Sequence, residues 1–255
     1  MEPQWHPYLF LIFFATLFEY NLHRLITVLT NKEALYQAKH QWVRENRRSF
    51  YLLVAVSVLG FISVSLMAKT EVLLAFAPIA ALTIFYSVPV AGSKKHLFRL
   101  REIPYLKIFL IAAVWSTSTI LLPIFQSHEI SINTNVLLLL LERFLFIMAI
   151  TIPFDIRDQE ADQLEGLKTL PMLLGEKRSL LLSYLLLLTF FLISFFHYRS
   201  INQGWMIWPI GISASTTFWF LYSKRIRNLR DYHYGILDGT MLLQGILVIG
   251  FYYFS

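Results

Sequence analysis

Three aspartates stand at helical spacing in the polar segment Asp155–Gly175, which reads DIRDQEADQLEGLKTLPMLLG and is called the acidic segment below. Asp155, Asp158 and Asp162 are three and four residues apart, which predicts one shared helix face with Gly166 further along it. Such carboxylates repel one another unless a cation lies between them. Mg²⁺ accompanied by a phosphate is the usual solution. The same spacing also fits a solvated acidic loop.

A second polar segment, Tyr86–Lys107, is rich in positive charge and is called the basic loop below. Its bases include Lys94, Lys95, Arg99 and Arg101. Carboxylates that can hold a metal, together with bases that can bind phosphate oxygens, are what a diphosphate site requires. The alternative is that these bases only fix membrane topology and contact anionic lipid headgroups.

The composition is that of a membrane protein. Hydrophobic residues make up 56% of the 255 residues and charged residues 15%, far from the balance of a soluble domain. The chain has no cysteine, which excludes disulfides and thiolate metal sites. The net charge of +6 fits the Lys and Arg bias of cytoplasmic loops, so no nucleic-acid partner is expected.

Eight apolar stretches are long enough to cross a bilayer, which takes about 20 helical residues. They are Tyr8–Thr30, Ser49–Ala68, Val72–Val90, Ile103–Phe125, Asn133–Phe154, Ser179–His197, Trp205–Tyr222 and Tyr234–Phe254. Alternate loops carry 5, 5, 4 and 4 Lys and Arg residues, with the second counted over the basic loop, whereas the other three loops share Lys69 and Arg199. The positive-inside rule therefore predicts that both termini face outward and that both polar segments are cytoplasmic.

The acidic segment resembles the second aspartate-rich motif of the UbiA superfamily of intramembrane prenyltransferases, approximately D-x-R-D-x-x-x-D-x-x-x-G-x-x-T-L-x-x-x-x-G. The matching positions are Asp155, Arg157, Asp158, Asp162, Gly166, Thr169, Leu170 and Gly175. The basic loop is similar to the family's YSxP segment through Tyr86, Ser87, Pro89, Lys94 and Lys95. Together with the eight apolar stretches, the resemblance predicts an all-α integral membrane protein, one domain over residues 1–255, whose roughly eight transmembrane helices surround a cytoplasm-facing cavity.

The resemblance also implies a reaction and a set of site residues. Family members transfer an isoprenyl group from an isoprenyl diphosphate to a lipophilic acceptor, commonly an aromatic ring. Asp158 and Asp162 would be the catalytic residues that hold Mg²⁺, with Asp155 as a supporting metal ligand. Lys94, Lys95 and Arg157 would bind the diphosphate and offset the charge of the leaving group. Tyr86 or another aromatic residue would stabilise the carbocation.

Two departures from the family open an alternative. The family usually has nine spans and a cytoplasmic N-terminus. If the family's first helix is absent here, whether from the protein or only from this sequence, the remaining eight helices keep their usual orientation. The first aspartate-rich motif keeps Asn21, but its aspartate positions fall on Leu22, Leu25 and Leu29, which cannot bind a metal. The runner-up reading is therefore a non-catalytic relative that binds a lipid or a partner.

Polar residues nevertheless remain in this first span. Arg24 could bind diphosphate oxygens in place of a metal, with Asn21 beside it. It could equally pair with Glu19 or Glu142, since ionisable groups inside a span take partners.

Overall fold

The computed structural model describes residues 6–30, 43, 45–88, 99–127 and 132–254, and every regular element among them is helical. The α-helices are α1 (Pro7–Thr30), α2 (Arg47–Ser65), α3 (Thr70–Ser87), α4 (Lys107–Gln126), α5 (Thr134–Arg157), α6 (Gln159–Leu164), α7 (Leu170–Leu174), α8 (Glu176–Ser200), α9 (Ile207–Tyr222), α10 (Lys224–Arg227) and α11 (Asp238–Phe254). Leu100–Glu102 and Gly204–Met206 are 3₁₀ turns, and Tyr232–Leu237 is a π-helical segment that leads into α11.

Six helical stretches in the described ranges are long and apolar enough to cross a membrane. They are α2, α3, α4, α5, α8 and the stretch Tyr232–Phe254. The two other predicted spans correspond to α1, whose apolar part is Pro7–Leu22, and to α9, which has 16 residues. The prediction of an all-α, multi-pass membrane protein is confirmed.

The chain forms two compact units. The first comprises Met1–Leu100 and Thr117–Ser131, and the second comprises Arg101–Ser116 and Ile132–Ser255, so α4 contributes its first half to the second unit. The single domain with a cytoplasm-facing cavity stays a prediction.

In the first unit, α1 packs along α2. Gly60 of α2 permits this close approach, because a Cβ atom there would overlap the ring of Phe14. A hydrogen bond from Ser87 Oγ to Glu19 joins α3 to α1. Lys69 Nζ donates to the backbone oxygen of Gln126 at 2.8 Å.

In the second unit, α5 is the central helix and packs along α8. The rings of Phe146 and Phe190 lie 5.2 Å apart between centroids, and Ser183 Oγ donates to the Ala149 oxygen at 2.9 Å. Helices α9 and α11 pack against the same core. Small side chains such as serine, whose hydroxyl donates a hydrogen bond to a neighbouring helix, are common where membrane helices pack closely.

The acidic segment folds as short helices rather than as one continuous helix. Helix α5 ends at Arg157, Asp158 lies in the turn, and α6 follows. Gly166 adopts φ +76°, and hydrogen bonds from Gly166 N to Gln163 O (3.0 Å) and from Leu167 N to Asp162 O (2.9 Å) close a Schellman cap. Gly166 therefore ends the helix, and the prediction that it extends the aspartate face is wrong.

Candidate functional site

Asp155 and Asp162 share a single cation that comes from another helix. Lys107 Nζ lies 2.9 Å from Asp155 Oδ1 and 2.6 Å from Asp162 Oδ2. The two aspartates are buried, and the Lys107 side chain is 14% exposed. The predicted shared face thus exists for these two carboxylates, and the cation between them is an ammonium group.

Asp158 has a different partner. Arg157 binds its carboxylate with two parallel hydrogen bonds, Nε to Oδ1 at 2.7 Å and Nη2 to Oδ2 at 2.8 Å. The Arg157 guanidinium also lies over the Tyr234 ring, with Cζ 4.7 Å from its centroid, and 5.2 Å from the centroid of Phe154. These contacts hold a planar cation at the junction of α5 with the π-helical segment.

The end of the basic loop docks on the acidic segment. Arg101 is buried and pairs with Glu165, and Tyr105 N donates to the Lys168 oxygen at 2.8 Å. Arg101, one of the bases named in the basic loop, thus contacts the acidic segment, and so does Lys107 at the end of that loop. The predicted phosphate-binding pair, Lys94 and Lys95, lies outside the described residues.

The charges of this cluster nearly cancel. Asp155, Asp158, Asp162 and Glu165 contribute four negative charges, whereas Lys107, Arg157 and Arg101 contribute three positive charges, so 4 − 3 leaves one negative charge. A diphosphate brings further negative charge. Binding it here therefore requires an additional cation.

The three aspartates are not placed as a joint set of metal ligands. Within the described ranges, no group of three or more acidic or histidine side chains is placed to hold a metal ion. Mg²⁺ usually binds one or two carboxylates together with substrate phosphates and water. The Asp158 side chain is 30% exposed and that of Asp162 is 7% exposed. The described part of the cluster is therefore not an all-protein metal cage, and an ion here would need oxygen ligands from a phosphate or water.

Three predicted site residues belong to the first unit. Asn21 is buried and its Nδ2 donates to the Leu17 oxygen of its own helix at 2.6 Å. Arg24 is exposed, and Tyr86 is half-buried near the end of α3. The substrate-binding roles of these residues stay predictions.

The two carboxylates considered as alternative partners of Arg24 both have hydrogen-bond partners within their own units. Glu19 accepts a hydrogen bond from Ser87. Glu142 accepts from Ser194 Oγ at 2.8 Å, and its other oxygen lies 2.5 Å from His197 Nδ1. Both carboxylates thus obtain partners from other helices of their own units.

Glu142 and Arg143 do not pair with each other either. Arg143 Nη1 donates to Gln244 Oε1 of α11 at 2.6 Å, while Glu142 faces α8. Adjacent residues of a helix point about 100° apart, so each reaches a different neighbour. The partners of both side chains were not predicted.

Lys107 is the main site residue that the sequence analysis missed. It is the first residue of the α4 span, and the positive end of the helix dipole disfavours a cation there. The positive-inside rule, however, favours a lysine at this end of a span, so the sequence alone did not single out its carboxylate partners. Tyr234 carries no comparable signal, because aromatic residues make up 16% of the chain.

The comparisons with known proteins agree with this architecture. No curated protein matches the chain. A solved structure from a study of the biosynthesis of digeranylgeranylglyceryl phosphate synthase in membranes is similar, with a TM-score of 0.58 and 15% identity over 96% of this chain and 83% of that chain. This similarity shows the fold. The model of the UbiA prenyltransferase family matches residues 45–233, which include the whole acidic segment. The chain therefore belongs to the UbiA prenyltransferase family.

Proposed function

We propose that the protein is an intramembrane prenyltransferase that takes an isoprenyl diphosphate and transfers the isoprenyl group to a lipophilic acceptor such as an aromatic ring. The observation that carries this proposal is the cluster that the carboxylates of the acidic segment form with Arg157, Lys107 and Arg101. All of these residues lie within the range that the family model matches. The apolar spans supply the surroundings that an isoprenoid tail requires.

In the proposed reaction, the bond between the allylic carbon and the diphosphate oxygen breaks. The electron pair leaves with the diphosphate, and the acceptor then attacks the allylic cation and loses a proton. Arg157 is suited to binding diphosphate oxygens, because its guanidinium is planar and is already oriented by Asp158 and Tyr234. Apolar walls exclude water, which would otherwise capture the cation.

The diphosphate needs more positive charge than this cluster supplies. We propose that Asp158 and Asp162 hold Mg²⁺, which when bound would neutralise charge on the leaving diphosphate. Lys94 and Lys95 of the basic loop, and Arg24 with Asn21 in α1, are the proposed further contacts to the diphosphate. Tyr86 is proposed to face the allylic cation.

Binding of a non-hydrolysable farnesyl thiodiphosphate tests this proposal. In the presence of Mg²⁺, Asp158→Asn and Asp162→Asn should each weaken binding by about 10- to 100-fold, because a charge-assisted contact contributes about 1.5–3 kcal/mol. The matched control is Glu160→Gln, which removes the same charge from an exposed position of the same segment and should bind normally.

Binding that is independent of Mg²⁺ and unchanged in both aspartate variants would exclude this site. Tight binding of farnesyl diphosphate without release of diphosphate, in the presence of varied aromatic acceptors, would instead support the non-catalytic alternative.

A further inference from the structure

Lys107 occupies the position between two carboxylates that come from different helices. Its Nζ is within hydrogen-bond distance of Asp155 at the end of α5 and of Asp162 in α6. Both aspartates are almost fully buried, at 2% and 5% exposure. Two buried carboxylates that face the same point repel each other strongly, so the cation at that point is required for both to stay charged.

The placement of Lys107 has no explanation in the helix to which it belongs. As the first residue of α4 it opposes the helix dipole. Its position is accounted for by the two aspartates, which bind it from outside that helix. A lysine ammonium is a compact point charge with several donors and can therefore bridge two carboxylates as a small metal ion does.

We infer that Lys107 is the resident cation of the acidic segment: its ammonium holds Asp155 and Asp162 together in the position that a divalent ion would otherwise take. The inference rests on the proposed function, because it concerns how that site is charged before diphosphate arrives. Lys107 acts as a positioning residue that fixes the Asp155 and Asp162 carboxylates.

The inference is tested by divalent-ion binding without any isoprenyl diphosphate, so its outcome does not depend on whether the proposed function is correct. Lys107→Met removes the ammonium but keeps an unbranched side chain of similar length. Mn²⁺ binding to the purified protein, measured by electron paramagnetic resonance, should become more than about tenfold tighter, since a unit positive charge leaves the immediate surroundings of the ion. Mg²⁺ should raise the unfolding temperature of this variant above that in NaCl of equal ionic strength, and should not do so for the wild type.

Two further variants test whether the gain in Mn²⁺ affinity comes from loss of the Lys107 charge and uses the Asp162 carboxylate. Lys107→Arg keeps the positive charge and should gain no Mn²⁺ affinity. The double variant Lys107→Met/Asp162→Asn removes one carboxylate of the new site and should lose the gain. If Lys107→Met unfolds in the absence of divalent ions, Mg²⁺ during purification should recover folded protein.

Three outcomes would overturn the inference. They are equal Mn²⁺ affinity in wild type and Lys107→Met, a gain that persists in the double variant, and failure of Mg²⁺ to recover an unfolded Lys107→Met protein while Lys107→Arg folds.

Discussion

At the scale of single residues, Lys107 and Glu142 of the second unit obtain their partners from distant parts of the chain. Lys107 pairs with aspartates 48 and 55 positions away (155 − 107 and 162 − 107), and Glu142 faces His197, 55 positions away (197 − 142). Burial of an unpaired charge is costly, whereas a buried and hydrogen-bonded pair is tolerated. These pairs therefore favour the packing of α4 against α5 and α6, and of α5 against α8.

The Glu142 cluster gives a stability prediction. Glu142→Ala should lower the free energy of unfolding by about 3–5 kcal/mol, because it leaves the buried His197 and Ser194 without their shared acceptor. Thermal unfolding in detergent measures the loss. The matched control is Glu71→Ala, which removes an exposed carboxylate from the first turn of α3. Equal unfolding temperatures for the two variants would contradict a stabilising role for the cluster.

At the scale of elements, interruptions of the helices determine where the side chains of the acidic segment lie. Helix α5 ends beside Asp158, α6 ends at the Schellman cap, and the π-helical segment Tyr232–Leu237 places Tyr234 against Arg157. π-helical turns often occur at functional sites, because they turn side chains out of the regular helical register. The breaks allow neighbouring side chains of one segment to face two different cations, Lys107 and Arg157.

Gly166 tests the importance of the cap that follows α6. Gly166→Ala should destabilise the protein by about 1 kcal/mol or more, because φ +76° is strained for a residue with a Cβ. Gly245→Ala, in open space on α11, is the control and should be neutral or slightly stabilising, since alanine favours a helix. Unfolding temperatures measure both variants. A drop of the same size in each would show that the cap conformation is not the cause.

The elements could be predicted from sequence to different extents. The spans were predictable because hydropathy is local, so that each stretch of about 20 apolar residues could be recognised without its partners. The single face for three aspartates and Gly166 was wrong because α5 ends at Arg157, between the aspartates, and α6 ends before Gly166. The role of Lys107 could not be assigned, because it depends on three helices meeting. The one local feature that set Lys107 apart in the sequence was its position at the start of an apolar helix.

At the scale of the whole molecule, contacts within the second unit place several loops at one end of that unit. Tyr105 bonds to Lys168, Arg157 contacts Tyr234, and Arg227 Nη1 lies 3.3 Å from Glu176 Oε1. These residues precede α4, end α5, begin α8 and surround the start of the final span. The same loops carry most of the Lys and Arg residues, so the positive-inside rule predicts that this end is cytoplasmic.

Cysteine labelling tests this orientation on a clean background, because the chain contains no cysteine. Gln163→Cys and Gln203→Cys form a matched pair: both glutamines are exposed, one in α6 of the acidic segment and the other between α8 and the 3₁₀ turn Gly204–Met206. In intact cells, a membrane-impermeant maleimide should label the Gln203 variant at once and the Gln163 variant only after permeabilisation. Labelling of both from the same side would contradict the prediction that α8, which lies between the two positions, crosses the membrane. The reverse pattern would place the acidic segment outside the cytoplasm, where the concentration of basic residues in its neighbouring loops would have no explanation in the positive-inside rule.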